Sequence, residues 1–347
     1  MGPGELRASA ARRLEGRELV AMATEAGFDL IGFAPARPLP RQALVDWLAA
    51  GHHADLGWMA AHLEERLDVT RLFPPARTVM ALACNYWKGG LDDSPVARYA
   101  RGRDYHATLK DRLRALRRRL RERWPGLEDY GSVDANPVME KVWAALAGLG
   151  AIGKNSCLIT PTFGSWVVLA VLILDAEVDA PPAPAMAVCG RCRRCIDACP
   201  TQAIVSDGVV DARRCLSYQT IENEQAVPMD LRPAMANIVF GCDVCETVCP
   251  HNQRAVPASA RFEPRPIASL TARALAAMSP RDWAALAPGT ALMRAGYEGV
   301  RRNAAYALGA SRDLEARDLL RELAMAPEPT VREAAEWALA QLELTPT

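Results

Sequence analysis

The sequence carries no net charge, because its 41 Lys and Arg are balanced by 41 Asp and Glu. A nucleic-acid partner would therefore be held by a local basic patch and not by global attraction. Aromatic residues are scarce, at 6%. No apolar run exceeds the nine residues of Trp166–Leu174, which is too short for a membrane-spanning helix. Arg12-Arg13 is not followed by an apolar stretch, so a secretory or twin-arginine signal is not expected. These absences lead to the expectation of a cytoplasmic protein with no membrane partner. Half of the 347 residues are apolar and 24% are charged. That balance argues against a disordered chain and leaves room for two or three domains.

Cysteine is what the sequence has in quantity. There are ten, and eight fall between Cys189 and Cys249, leaving Cys84 and Cys157 apart. A disulfide framework would accompany a signal peptide and a small domain. Clustered thiols in a long chain without a signal point instead to metal. Cys189, Cys192, Cys195 and Cys199-Pro200 form C-x2-C-x2-C-x3-C-P, the bacterial ferredoxin run for a 4Fe–4S cluster. The second run, Cys242, Cys245 and Cys249-Pro250, is one cysteine short, and Cys215 can supply it. With the ferredoxin crossover, Cys189, Cys192, Cys195 and Cys249 hold one cluster, and Cys199, Cys215, Cys242 and Cys245 the other. C-x2-C pairs also suit tetrahedral zinc, but both runs ending in Cys-Pro favour iron and sulfur. The spacing supports electron transfer and does not name the acceptor.

Three regions divide the chain. Residues 1–185 read as a mixed α/β domain, with a polar helix from about Arg7 to Ala26 stopped by Gly27. Strands are expected at Phe28–Phe33, Val79–Cys84 and Trp166–Leu174. An arginine-rich helix lies between the second and third, with Leu109, Leu113, Leu116, Leu120 and Trp124 on one face. After Pro181, Pro182 and Pro184 comes the cysteine-dense region, 186–256, too poor in large apolar residues to dispense with metal. Residues 257–347 carry an internal repeat. Val300-Arg301 and Val331-Arg332 match at an offset of 31, as do Ala304 and Ala335, Tyr306 and Trp337, and Leu308 and Leu339. This resembles stacked HEAT-like helix pairs, and two copies alone would have to lean on the rest of the protein.

Two motifs mislead. Gly148-Leu149-Gly150-Ala151-Ile152-Gly153 fits a dinucleotide fingerprint, with Asp175 at suitable spacing. The context fails, because a helix is expected before it and Pro161 cuts short any helix after it. The glycines are better explained by a loop that approaches something closely. Asp104-Tyr105-His106 begins like a D-x-H-x-x-G cobalamin-ligating motif, but Leu109 stands where the glycine belongs. His106 is read as an ordinary surface or hydrogen-bonding histidine. The seven arginines of Lys110–Arg123 suit a solvated face as well as a phosphate-binding patch.

Arg98–His106, Gly148–Asn155 with Gly164-Ser165, the run from Cys189 to Thr201, Arg214–Ser217 and Gly241–Cys245 together resemble the epoxyqueuosine reductases. The resemblance covers nearly the whole chain. It implies an α/β domain of nitroreductase-like fold that binds cobalamin, a ferredoxin-like domain with two 4Fe–4S clusters, and a HEAT-like tail. The implied reaction reduces epoxyqueuosine to queuosine at the wobble base of tRNA, in a monomer served by an unidentified electron donor. A small-molecule reductive dehalogenase and a pure ferredoxin-type carrier are the alternatives. The resemblance makes Asp134 the proton donor, which requires a pKa raised by burial against the corrin and substrate; the plainer role for Asp134 is a helix N-cap. It also implies cobalamin contacts at Arg66, Ala97, Asp134, Asn155, Leu158, Thr160, Leu169, Ser217 and Gly241. Asn155 and Thr160 would hydrogen-bond corrin amides. Cys84 and Cys157 are left as small buried hydrophobes. Arg294, Arg301, Arg302 and Arg332 are expected to grip the anticodon stem.

Overall fold

A computed structural model describes residues 12–89, 93–182, 184, 186–258 and 262–344. Its centre is a four-stranded antiparallel sheet of β1 (Leu30–Pro35), β2 (Thr78–Asn85), β3 (Asp129–Ser132) and β4 (Val167–Leu174), in the order β1-β2-β4-β3. The third strand is short, has no apolar alternation and is not legible in the sequence. Every residue of β2 is buried, because layers cover both faces and successive side chains point opposite ways. Met80 and Leu82 pack with Leu109, Leu113, Leu116 and Leu120 of the arginine-rich helix. Val79 and Ala81 pack with Trp143 and Ala144 on the other side.

Three helices complete this layer: α1 (Gly16–Glu25), α2 (Tyr105–Arg123) and α3 (Glu140–Leu146). The N-terminal helix is shorter than expected. Residues 7–11 lie outside the described residues, and Arg13–Glu15 forms a strand parallel to Glu177–Asp179. A Cβ at Gly16 would stand 2.8 Å from the Asp179 carbonyl oxygen, so the chain turns into α1 where only glycine permits the approach. Helix α2 starts earlier than expected, at a cap where Asp104 accepts from the His106 amide. Its arginines are largely engaged within the chain: Arg117 and Arg121 with Asp129, Arg119 with Glu25, Arg123 with Glu18.

The glycine motif sits where α3 ends. Gly148 is left-handed (φ 78°), and Ala151–Ile152 pairs with Leu158–Ile159 in a small hairpin. No strand precedes the motif and no helix opens from it, as dinucleotide binding would need. A Cβ on Gly150 would lie 2.3 Å from the Ile159 carbonyl oxygen. The glycine serves that close crossing.

The repeat folds as α4 (Gly296–Ala310) and α5 (Pro329–Glu343), with Arg317–Leu323 between them. The matched residues meet: Tyr306 and Trp337 pack edge to face at 5.7 Å, and Val300, Val331, Ala304 and Ala335 are all buried. This core continues without a break into Leu216, Val227, Met235, Val239 and Phe240. Arg232 lies over the Tyr306 ring at 4.9 Å and pairs with Glu333 at 2.7 Å. Arg302 is 1% exposed. Its guanidinium donates to the carbonyls of Asn223 and Gln225, both at 2.7 Å, and of Gln219 at 3.1 Å. The Asn303 amide reaches the carbonyls of Thr220 and Val239. These two side chains fasten α4 to the cysteine-bearing region. Arg302→Met should leave those carbonyls unpaired and lower unfolding stability by about 3 kcal/mol, measured by denaturant titration. A loss below about 0.5 kcal/mol, the ordinary surface range, would remove that fastening role.

Candidate functional site

Asp134 lies in the loop that leaves β3. The antiparallel register sets Ser132 opposite Val171, so the departing chain runs toward Leu169. The backbone of Asp134 is left-handed (φ 51°), a conformation Asp tolerates better than most residues. It is held there by Glu140, whose Oε1 accepts from the Asp134 amide at 3.0 Å and the Ser132 hydroxyl at 2.8 Å. Helix α3 begins only at Glu140, with no side-chain cap. The N-cap role for Asp134 is therefore ruled out by position.

Two donors converge on the Asp134 carboxylate. Tyr105 donates its hydroxyl to Oδ2, and His106 places Nε2 3.5 Å from the same oxygen. The other ring nitrogen, Nδ1, lies 2.9 Å from Asp104 Oδ1, and the two rings stack at 4.0 Å. Burial pushes the Asp134 carboxyl up, but His106 and Tyr105 outweigh it and hold the group below the usual Asp value. The carboxylate is 62% exposed and stands ionised between donors; the raised pKa expected of a proton donor belongs to burial under corrin and substrate. The proton resides on His106 instead. Its hydrogen bonds to Asp104 first and Asp134 second push it up to about 9. Burial pushes Glu140 up to about 6, and burial with the Asp134 charge keeps Tyr105 protonated. Arg66, Arg294 and Lys141 supply positive charge nearby.

His106, Tyr105, Asp104 and Glu140 are members of this site that sequence reasoning missed. The D-Y-H triplet is the signal the sequence offers for three of them, but as a cobalt-ligating pattern it fails, and its service to Asp134 has no local signature.

The thiols form two gatherings. Cys189, Cys192, Cys195 and Cys249 line one cavity together with Asn155, Arg194 and His251. Among the described residues no three candidate ligands converge as they would on a single metal ion; these four thiols surround a space instead. Cys199, Cys215 and Cys242 lie within electrostatic reach of one another, with Cys245 next to Cys242. Burial pushes Cys242 up to about 12. Cys84 is fully buried, as expected. Cys157 is not mere filling: it is only partly buried, its thiol donates to the Asn155 carbonyl at 3.7 Å, and it lies close to Cys245.

The residues that resemblance ties to cobalamin are scattered over this neighbourhood. Ala97 and Gly241 touch: a Cβ on Gly241 would lie 2.5 Å from that of Ala97. Leu158 and Thr160 are buried. The Thr160 hydroxyl donates to the Gly164 carbonyl at 2.9 Å, so its proton is not open to a corrin amide. Arg66 is 8% exposed and holds the Trp58 carbonyl at 2.8 Å. Leu169 and Ser217 are partly exposed. Of the four arginines expected on the tRNA, Arg302 is buried and Arg301 pairs with Glu328 at 3.3 Å in a largely buried contact. Arg332 donates to the carbonyls of Ala326 and Pro327. Only Arg294 combines exposure with a place near Asp134, lying 5.4 Å over the exposed Trp58 ring.

A sheet domain joined to a double-cluster domain and a helical-repeat tail defines an iron–sulfur oxidoreductase. The chain belongs to the epoxyqueuosine reductase family. Residues 66–135 match the family described as Epoxyqueuosine reductase QueG, DUF1730. Residues 188–252 match the 4Fe-4S double cluster binding domain, and 262–340 match HEAT repeats. The chain is 43% identical over 300 residues to an epoxyqueuosine reductase of Synechococcus sp. (strain CC9605), covering 82% of this chain and 92% of that one. It is 38% identical over 330 residues to that of Pseudomonas aeruginosa, covering 91% of each. A solved epoxyqueuosine reductase with an epoxyqueuosine-modified tyrosine tRNA stem loop aligns over 94% of this chain and 89% of that one, with a TM-score of 0.84 and 31% identity. Among the described residues no helix is long and apolar enough to cross a membrane.

Histidine NMR titration should show one imidazole releasing its proton near pH 9, and Asp104→Asn should return it toward the ordinary value of about 6.5. A His106 that titrates near 6.5 in the unsubstituted protein would refute the proton placement.

Proposed function

We propose that this chain reduces epoxyqueuosine to queuosine at the wobble base of tRNA, with cobalamin fed by two 4Fe–4S clusters. The observation that carries the reading is the proton network on Asp134 at the end of the sheet, beside a double-cluster domain. Converting the epoxide to the alkene takes up two electrons and two protons and releases water. Iron–sulfur clusters deliver electrons singly. When bound, cobalamin supplies a cobalt centre that collects electrons and acts on carbon, which no side chain can do.

Cys189, Cys192, Cys195 and Cys249 are the proposed ligands of one cluster, and Cys199, Cys215, Cys242 and Cys245 of the other. The residues fit cobalamin in one respect that supports it. Val167 and Leu169 leave the sheet face they share with Val171 and Ile173 partly uncovered, giving an apolar floor beside Arg66 and the Asp134 loop. Arg66, Ala97, Leu158, Ser217 and Gly241 would complete the surround. Asp134 and His106 together hold one proton in position, with Tyr105 orienting the carboxylate. As negative charge develops on the epoxide oxygen, that proton moves to it; Arg66 and Arg294 favour the accumulating charge. Arg294 and Trp58 offer an unstacked base a guanidinium and a ring face. The domain limits 1–185, 186–256 and 257–347, the single-chain state and the electron donor belong to the same proposal.

The test is anaerobic reconstitution with iron, sulfide and cobalamin, followed by a strong reductant and tRNA carrying epoxyqueuosine. Digestion should yield queuosine, lighter by one oxygen. Protein shown to hold both clusters and cobalamin that leaves the nucleoside unchanged would overturn the substrate. Asp134→Asn should slow turnover at least ~100-fold while both cofactors stay bound. The unsubstituted enzyme should lose rate as pH rises through about 9, since His106 then gives up the proton the step consumes. A rate flat across that interval would exclude His106 as its source.

A further inference from the structure

The loop Gly153–Cys157 lies between the two gatherings of thiols. The Lys154 amide donates to Cys189 Sγ at 3.4 Å, while Cys157 lies close to Cys245. Asn155 sits between these contacts and is 6% exposed. Its Oδ1 accepts from the Cys157 amide at 3.3 Å. Its Nδ2 is buried and has no hydrogen-bond partner among the described residues. A buried amide nitrogen left unpaired is destabilising, and such groups are rare enough to require an explanation.

The same side chain lines the cavity of Cys189, Cys192, Cys195 and Cys249. The other side chains there provide poor acceptors. Ile159, Val188 and Pro250 are apolar, Arg194 is a donor, and His251 Nε2 is already 3.0 Å from the Val188 carbonyl. Sulfur is the side-chain acceptor that remains. The loop is built to seat the amide here: a Cβ on Gly153 would lie 2.5 Å from Ile159 Cδ1 and 2.9 Å from Asn155 Oδ1.

We infer that Asn155 Nδ2 donates a hydrogen bond to a sulfur of the cluster in this cavity and raises its reduction potential, instead of binding a corrin amide. The inference rests on the double-cluster reading. One-electron reduction adds negative charge that spreads onto the sulfurs, so an N–H donor stabilises the reduced form more than the oxidised one. Asn155 is thus a positioning residue for electron delivery and takes no part in the bond-breaking step.

Asn155→Leu keeps the branched shape and the neutral charge and removes the donor, together with the Oδ1 acceptor of the Cys157 amide. Iron and sulfide content is measured first; unsubstituted protein that takes up no clusters would bring down the double-cluster reading and this inference with it. In loaded protein, redox titration followed by electron paramagnetic resonance should show one cluster harder to reduce and the other unmoved. The expected change is about a tenfold lower reduced-to-oxidised ratio at fixed potential, or about 59 mV for one electron. Cobalamin affinity should stay the same. Unmoved potentials, with or without weakened cobalamin binding, would overturn the inference. Should the variant fail to take up iron, unsubstituted protein labelled with 15N in its asparagine side-chain amides serves. Pulsed resonance of the reduced cluster should reveal a nitrogen coupling, and its absence would be equally fatal. The nearby Asn252 amide donates elsewhere, to Ser165 and the Glu246 carbonyl.

Discussion

Four thiols meet around one cavity only because the chain doubles back, bringing Cys249 against Cys189, Cys192 and Cys195. Everything between must leave and return as a closed excursion. That excursion is too polar for a core of its own, and such a segment draws its stability from metal or from a neighbour. The solution is to lend its few large apolar residues to a neighbour. Leu216, Val227, Met235 and Phe240 share one continuous core with α4 and α5. Arg302 and Asn303 saturate the carbonyls of the excursion from the tail side. The helical repeats are therefore part of the scaffold that shapes the cysteine region, as well as the tail of the molecule.

A second economy concerns charge. Asp134 is placed where the chain enters an unusual backbone state, and Glu140 holds it there through its amide. Two acids so close repel when both are ionised, and burial together with this repulsion raises Glu140. The cost of keeping Asp134 charged is met by Tyr105 and His106, which themselves lie at the start of α2 under the Asp104 cap. One helix N-terminus thus organises the proton inventory for the end of the sheet. The arginine-rich remainder of α2 serves mostly to bind that helix to its neighbours through ion pairs.

The glycine-rich turn after α3 connects these two themes. Read as a string, it imitates a nucleotide fingerprint. In space, its glycines let the hairpin around Ile159 cross closely, and the residues just after them reach both sets of thiols. Asn155, Lys154 and Cys157 link the sheet to the redox centres through one short loop.

Local pattern and spacing make much legible. The cysteine runs announce a double-cluster domain, the offset of 31 announces paired helices, and the apolar runs mark β1, β2 and β4. Short-range regularities of this kind arise from fixed backbone geometry, so the string of residues is enough to reveal them. Strand β3 escapes because it has no alternation to detect. The partnership of His106 with Asp134, the burial of Arg302 and the unpaired amide of Asn155 escape for another reason. Each depends on groups far apart in the chain, and the same Arg, His or Asn is consistent with opposite roles until its neighbours are known. The protonation of Asp134 turns on a histidine 28 positions away in sequence and 3.5 Å away in space. Electrostatics and solvation act through distance and burial, and only the tertiary structure decides those.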